Sequence, residues 1–201
     1  MQLTSHRYFI IHKPYNMVSQ FVSSDKVRLL GELDFDFPEG THAIGRLDSH
    51  SEGLLILTTN KKVTRLLFES DIPHQRTYLV QVKNVISEEK VQQLRTGVPI
   101  IVENKETYIT KPCDVRVVAS PKEWAPGVTE IPREYPHTWL EINLVEGKFH
   151  QVRKMVAAVG HPCRRLIRVA IEDLTLGDLP PGGVREIEEQ LFFHLLKIEN
   201  Y

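Results

Sequence analysis

The sequence predicts an α+β fold built on a largely antiparallel sheet, and three observations lead there. Strand-like apolar runs outnumber helix-like ones. The strands do not alternate regularly with helices, as a parallel βαβ sheet requires. No repeat, low-complexity tract or convincing linker divides the chain, so residues 1–201 read as a single domain. With 41% hydrophobic and 25% charged residues, 201 positions suffice to bury a core that needs no disulfide or metal.

The first strand is expected at Tyr8–Ile11 and the second at Gly53–Thr58, a continuous apolar run. Asn60 can then cap a helix carrying Val63, Leu66 and Leu67. Thr77–Val85 alternates at Tyr78, Val80 and Val82, which is the period of a half-buried strand. Ser87 can cap a second helix carrying Val91 and Leu94, with Gly97 at its end. Strands follow at Val98–Val102 and Asp114–Val118, then a proline-rich loop at Pro121–Pro136, then a strand at Trp139–Leu144. Phe149–Val159 places Val152, Met155, Val156 and Val159 on one helical stripe ahead of Gly160. A strand at Leu166–Ala170 and a helix at Glu188–Leu196 complete the chain.

Several function classes fall away. Uncharged apolar stretches such as Gly53–Leu57 are far shorter than the ~20 residues a bilayer helix needs. The start, MQLTSHRYFIIHKP, lacks the apolar core of a secretory signal. Cys113 and Cys163 stand far apart with no partner at metal spacing, so a reduced, cytoplasmic protein without zinc is expected. The net charge of −1 hides segregation. Lys148–Arg168 holds six basic residues, two histidines and no acid, while acids gather at Glu32–Glu39 and Glu186–Glu189. Such a surface can bind an anion despite its neutral sum, although a solvated helix face followed by a basic strand explains it equally.

Four segments carry chemistry-bearing residues. In GRLDSHSEGLLILTTN, Gly45–Asn60, Arg46 and Asp48 project to one side ahead of an apolar strand. Such a carboxylate can act as nucleophile or base, or simply close a turn with the arginine. In RTYLVQV, Arg76–Val82, Tyr78 is either core packing or a ring at the edge of a site. In EGKFHQVRKMVAAVGHPCRRLIR, Glu146–Arg168, His150, Arg153 and Lys154 lie off the apolar stripe, and the helix start offers N–H groups to an anion. HKPYNMVSQF, His12–Phe21, reads as a strand breaking into a loop at Pro14 and is weak by itself. No nucleotide-binding loop, serine-hydrolase elbow or zinc-protease motif occurs.

Together and in this order, the GRLD run with its GLLILT strand, KPYNMVS, RTYLV, and EGKFHQVRKM followed by RLIR resemble the pseudouridine synthases that modify ribosomal RNA. The resemblance runs from about Tyr8 to Ile187 and is closest to enzymes of the large subunit, through the stretch IPREYPHTWLEINLVEGK. It implies an α+β catalytic domain whose long, mixed, mainly antiparallel sheet has flanking helices and a central cleft, without the separate N-terminal RNA-binding domain of many relatives. The implied activity is isomerisation of uridine to pseudouridine in 23S rRNA, by a monomer that needs no cofactor or metal. Other readings on the same fold are a silent RNA-binding or ribosome-assembly module, or a synthase acting on small-subunit rRNA or tRNA.

The resemblance also implies roles. Asp48 matches the essential aspartate, Tyr78 the active-site tyrosine, Arg153 the basic residue paired with that aspartate, and Leu166 the apolar residue beneath the base. Arg46 matches an arginine that fills the gap left by a flipped nucleotide. His150, Lys154, Arg164, Arg165 and Arg168 are expected to contact the RNA, the last three by gripping phosphates. Arg76 stands where relatives often have Lys, which keeps the charge but alters the contact geometry.

Overall fold

A computed structural model describes residues 6–69, 72–103, 105–128, 135–199 and 201. Its main sheet is assembled from strands far apart in sequence. β1 (Tyr8–Lys13) lies between β11 (Val184–Ile187) and β3 (Glu52–Thr58), and β2 (His42–Ile44) adds to β3. In the other half, β9 (Cys163–Ile171) pairs with β4 (Arg76–Lys83), followed by β8 (His137–Leu144) and β7 (Asp114–Val118), while β10 (Leu174–Thr175) adds to β9. The remaining strands, β5 (Pro99–Ile101) and β6 (Thr107–Ile109), form a separate ribbon. Every named pair is antiparallel except β3 with β9, where Glu52 faces Ile167 and Gly53 faces Arg168. This parallel seam joins the two halves, and the mixed, mainly antiparallel α+β fold expected from the sequence is present.

Burial explains the strand signals. The β3 side chains are buried on both faces, so Leu54 and Ile56 pack with Tyr8, Ile10 and Phe192 while Leu55 and Leu57 pack with Phe9, Ile11 and Met17. A strand covered twice carries no polar alternation, hence the unbroken GLLILT. Each fully buried large apolar side chain contributes about 1.5–3 kcal/mol. A third cluster fixes the helix nearest the seam: Val152, Met155 and Val156 of α3 (Gln151–Ala158) pack on Val80, Val82, Leu140 and Leu166.

The helices differ from expectation mainly at their starts. α1 (Val63–Phe68) begins after Asn60, whose side chain instead accepts the Lys62 amide at 3.0 Å. α2 (Glu88–Thr96) is capped by Ser87 and stopped by Gly97, as its sequence suggests. α3 starts at Gln151 because His150 adopts a left-handed backbone, φ +55°, and ends the loop before it. α4 (Glu189–Leu195) follows the β11 edge strand, whose VREI pattern is too polar to signal a strand. The Pro121–Pro136 loop opens with a 3₁₀ turn at Pro121–Glu123; residues 129–134, and with them the start of IPREYPHTWL, lie outside the described residues. Among the described residues, no helix is long and apolar enough to cross a membrane.

Candidate active site

The parallel seam brings β3 and β9 into unusually close contact at Gly53. Its φ is +103°, and a Cβ there would sit 2.2 Å from the Arg168 carbonyl oxygen, so only glycine permits the pairing. Beside Gly53 a buried ion pair spans the seam. Arg165 Nε and Nη2 each donate at 2.7 Å to Glu52, and both side chains are buried. The turn that enters β3 is therefore held at its base, and that turn carries Asp48.

The HKPYNMVSQF segment supports this turn, a role the sequence pattern does not reveal. Ser19 Oγ donates to the Leu47 carbonyl and accepts the Leu47 amide, at 2.9 and 3.0 Å. The Asn16 amide donates to the Ser49 carbonyl at 2.8 Å. Fully buried Lys13 donates its Nζ to the carbonyls of Pro14, Met17 and Ser49. Burial pulls the Lys13 ammonium down to a pKa of about 8, against the opposing pull of the Glu52 and Asp48 carboxylates.

A cleft of about 580 Å³ opens in front of the turn, lined among others by Arg46, Asp48, Arg76, Tyr78, His150, Leu166 and Arg168. Asp48 is partly exposed at its mouth. The basic side chain nearest its carboxylate is His150, whose Nε2 lies 3.3 Å from Asp48 Oδ1, rather than the expected Arg153. Arg153 Nη2 instead donates to the His50 carbonyl at 2.7 Å and to Ser51 Oγ at 3.2 Å, so it ties α3 to the backbone that follows Asp48. The difference has a local cause. Gln151 accepts the Lys148 amide at 2.8 Å and donates to Glu146 at 2.6 Å, which locks the EGKFHQ loop and swings the left-handed His150 over the carboxylate. Burial works against the ionised Glu146 carboxyl, but hydrogen bonds from Tyr108, the Lys111 amide and Gln151 outweigh it and hold its pKa below the usual value.

Tyr78 on β4 and Arg168 on β9 are register partners and form the opposite wall. Arg168 stands beside Tyr78 across the β4–β9 register, and its Nε donates to the Leu54 carbonyl at 2.8 Å. Arg168 Nη2 is buried with no hydrogen-bond partner among the described residues. Burial lowers the pKa of Arg168, partly offset by Tyr78. Leu166, 5% exposed, lines the cleft beside them.

Of the basic run expected to grip phosphates, only Arg164 points outward. It borders a second cavity with Lys83, Tyr135 and His137. Contrary to expectation, Arg165 and Arg168 do not stand on the outer surface: both are buried, Arg165 on Glu52 and Arg168 beside Tyr78 in the cleft wall. A register shift between Gln81 and Val82 leaves Arg164 unpaired against β4, so simple strand alternation misplaces its neighbours. Lys154 stays on the α3 surface, with Nζ 5.3 Å from the Phe149 ring centre, and Arg46 is exposed on the cleft wall.

Similarity to known proteins extends over most of the chain. The family model described as RNA pseudouridylate synthase matches residues 7–158. A protein of Vibrio parahaemolyticus named ribosomal large subunit pseudouridine synthase E is 36% identical over 94% of this chain and 76% of its own. A protein of the same name from Xanthomonas axonopodis pv. citri is 38% identical over 86% of this chain and 89% of its own. A crystal structure described as a pseudouridylate synthase superposes with a TM-score of 0.73 at 26% identity, covering 97% of this chain and 76% of that one.

Proposed function

The chain belongs to the RNA pseudouridylate synthase family, and from that premise we propose that it isomerises a specific uridine of large-subunit ribosomal RNA with Asp48 as the catalytic carboxylate. The observation that carries the reading is the position of Asp48, braced from behind by Lys13, Ser19 and Arg153 and facing Tyr78, Leu166 and Arg168 across one cleft. The choice of large-subunit RNA rests on the relatives whose names specify that subunit.

Uridine within folded RNA must leave its stack before its glycosidic bond can be reached, at a cost of a few kcal/mol. Arg46, exposed on the cleft wall, is the group to occupy the gap left behind. Two routes are open to the Asp48 carboxylate: attack on the anomeric carbon of the ribose, or removal of the carbon 2 proton to give a glycal. Either route releases uracil, which turns and rejoins the sugar through carbon 5, and the proton on carbon 5 is then lost. Reactant and product contain the same atoms, so no electrons are gained or lost. Tyr78 and Leu166 hold the freed base, and Tyr78 assists departure of the proton from carbon 5. His150 and Arg153 act on Asp48, the first by standing 3.3 Å from its carboxylate and the second by fixing its turn. Arg164 contributes a phosphate contact. The free cysteines Cys113 and Cys163 suit a reducing cytoplasm, and the reading has the enzyme working there as a monomer.

The test is to map pseudouridines in the rRNA of cells lacking the gene. One large-subunit pseudouridine should disappear, and should return with wild-type protein but not with Asp48→Asn. A missing small-subunit or tRNA pseudouridine would reassign the substrate.

A further inference from the structure

Tyr8, Phe9, Trp139, Phe192 and Phe193 are buried, whereas two half-exposed rings lie beside the turn that carries Asp48. Tyr15 and Phe149 are each 54% exposed. Each rests on a histidine. The Tyr15 and His50 ring centres are 5.4 Å apart, and Phe149 stacks on His150 at 3.8 Å with an interplanar angle of 19°. Each is also tied to the Asp48 turn. Asn16, left-handed at φ 61°, donates its amide to Ser49, and the left-handed His150 reaches Asp48 itself. Arg153 holds the His50 carbonyl, and the Lys154 ammonium stands over Phe149.

We infer that Tyr15 and Phe149 are stacking subsites for the nucleotides neighbouring the target uridine, so that the substrate class is a uridine flanked by unpaired bases. The inference rests on the reading of the cleft as a uridine site. A flat ring exposed beside a site, with cations near it, is the arrangement by which proteins bind single-stranded RNA without reading its sequence. Base faces inside a duplex are covered by their neighbours and cannot meet such rings, whereas loops and bulges present them. Contact with an imidazole restricts each ring before RNA arrives, most closely at Phe149, and restriction of this kind lowers the ordering cost of binding.

Two 12-nucleotide probes test this: an all-uridine RNA, and the same strand with a single central uridine between abasic residues. Wild-type protein should bind the first more tightly. Tyr15→Ser and Phe149→Ser should each weaken that binding by about 5- to 100-fold and leave the abasic strand unaffected. Tyr15→Trp and Phe149→Trp should bind like wild type, with indole emission quenched by the all-uridine strand alone. Equal losses on both strands, no loss, unquenched indoles, or a wild type indifferent to the flanking bases would overturn the proposal. Should the serine variants melt early, quenching of the tryptophan variants decides. Binding requires no turnover, so this outcome is independent of whether Asp48 drives isomerisation.

Discussion

Arg165 and Glu52 face each other across the parallel β3–β9 seam in a buried, two-pronged ion pair, with both donor distances at 2.7 Å. The pair bridges the two halves of the sheet beside the cleft. The residues immediately around it, Ser51 and Leu166, line that cleft.

Removing one partner strands a buried charge. Arg165→Met should therefore destabilise the fold by about 3–5 kcal/mol in denaturant unfolding. Arg164→Ala, one position away and exposed, should leave stability within about 0.5 kcal/mol. It should instead lower the slope of log affinity against log salt for rRNA by about one. A stable Arg165→Met, or an Arg164→Ala with an unchanged salt slope, would show that the two arginines have been assigned the wrong way round.

Lys13 gives stability a specific pH dependence. Its folded-state pKa of about 8 lies below the ordinary 10.5, so between these values the unfolded chain binds the proton more readily. Its contribution to stability is therefore least favourable below pH 8 and improves as pH rises from 8 to 10.5. The urea midpoint of wild type minus that of Lys13→Met should rise steadily as pH increases from 8 to 10.5. Parallel curves would contradict the buried ammonium.

Tyr78 separates packing from chemistry. Tyr78→Phe keeps the ring and nearly all the volume while removing the hydroxyl that partly offsets the burial of Arg168, at a cost of about 1 kcal/mol or less. It should form the new carbon–carbon bond yet release the carbon 5 proton slowly. Tyr78→Leu removes the flat face, worth about 1–3 kcal/mol to a bound base, and should be folded but inactive. Quench-flow with product recovery, alongside thermal melts, distinguishes these outcomes. Proton release by the Phe variant at the wild-type rate would leave Tyr78 as a stacking surface only.

How far the sequence discloses the site depends on which atoms do the work. The GRLD run and its strand are legible because a doubly buried strand must be continuously apolar and because a charged pair stands at its mouth. Ser19 and Lys13 are not legible as supports, since they bind main-chain carbonyls and an amide whose positions only the fold supplies. Helical periodicity places Val152, Met155 and Val156 correctly, but the left-handed His150 interrupts the pattern at the residue that reaches Asp48. The same holds on β9, where the irregularity at Arg164 breaks the two-residue period and hides the inward turn of Arg165. The short strands β2 and β10 carry too few residues for any periodicity to register.

Asp48 is the group on which the proposed isomerisation depends most directly. Substitution by asparagine preserves the shape of the side chain but removes the nucleophile and base. Tritium release from rRNA labelled at carbon 5 of uracil measures the reaction itself. Asp48→Asn should release no tritium above background while matching wild type in rRNA affinity and melting temperature. Release at more than about a tenth of the wild-type rate, equivalent to a barrier change below about 1.4 kcal/mol, would contradict the assignment.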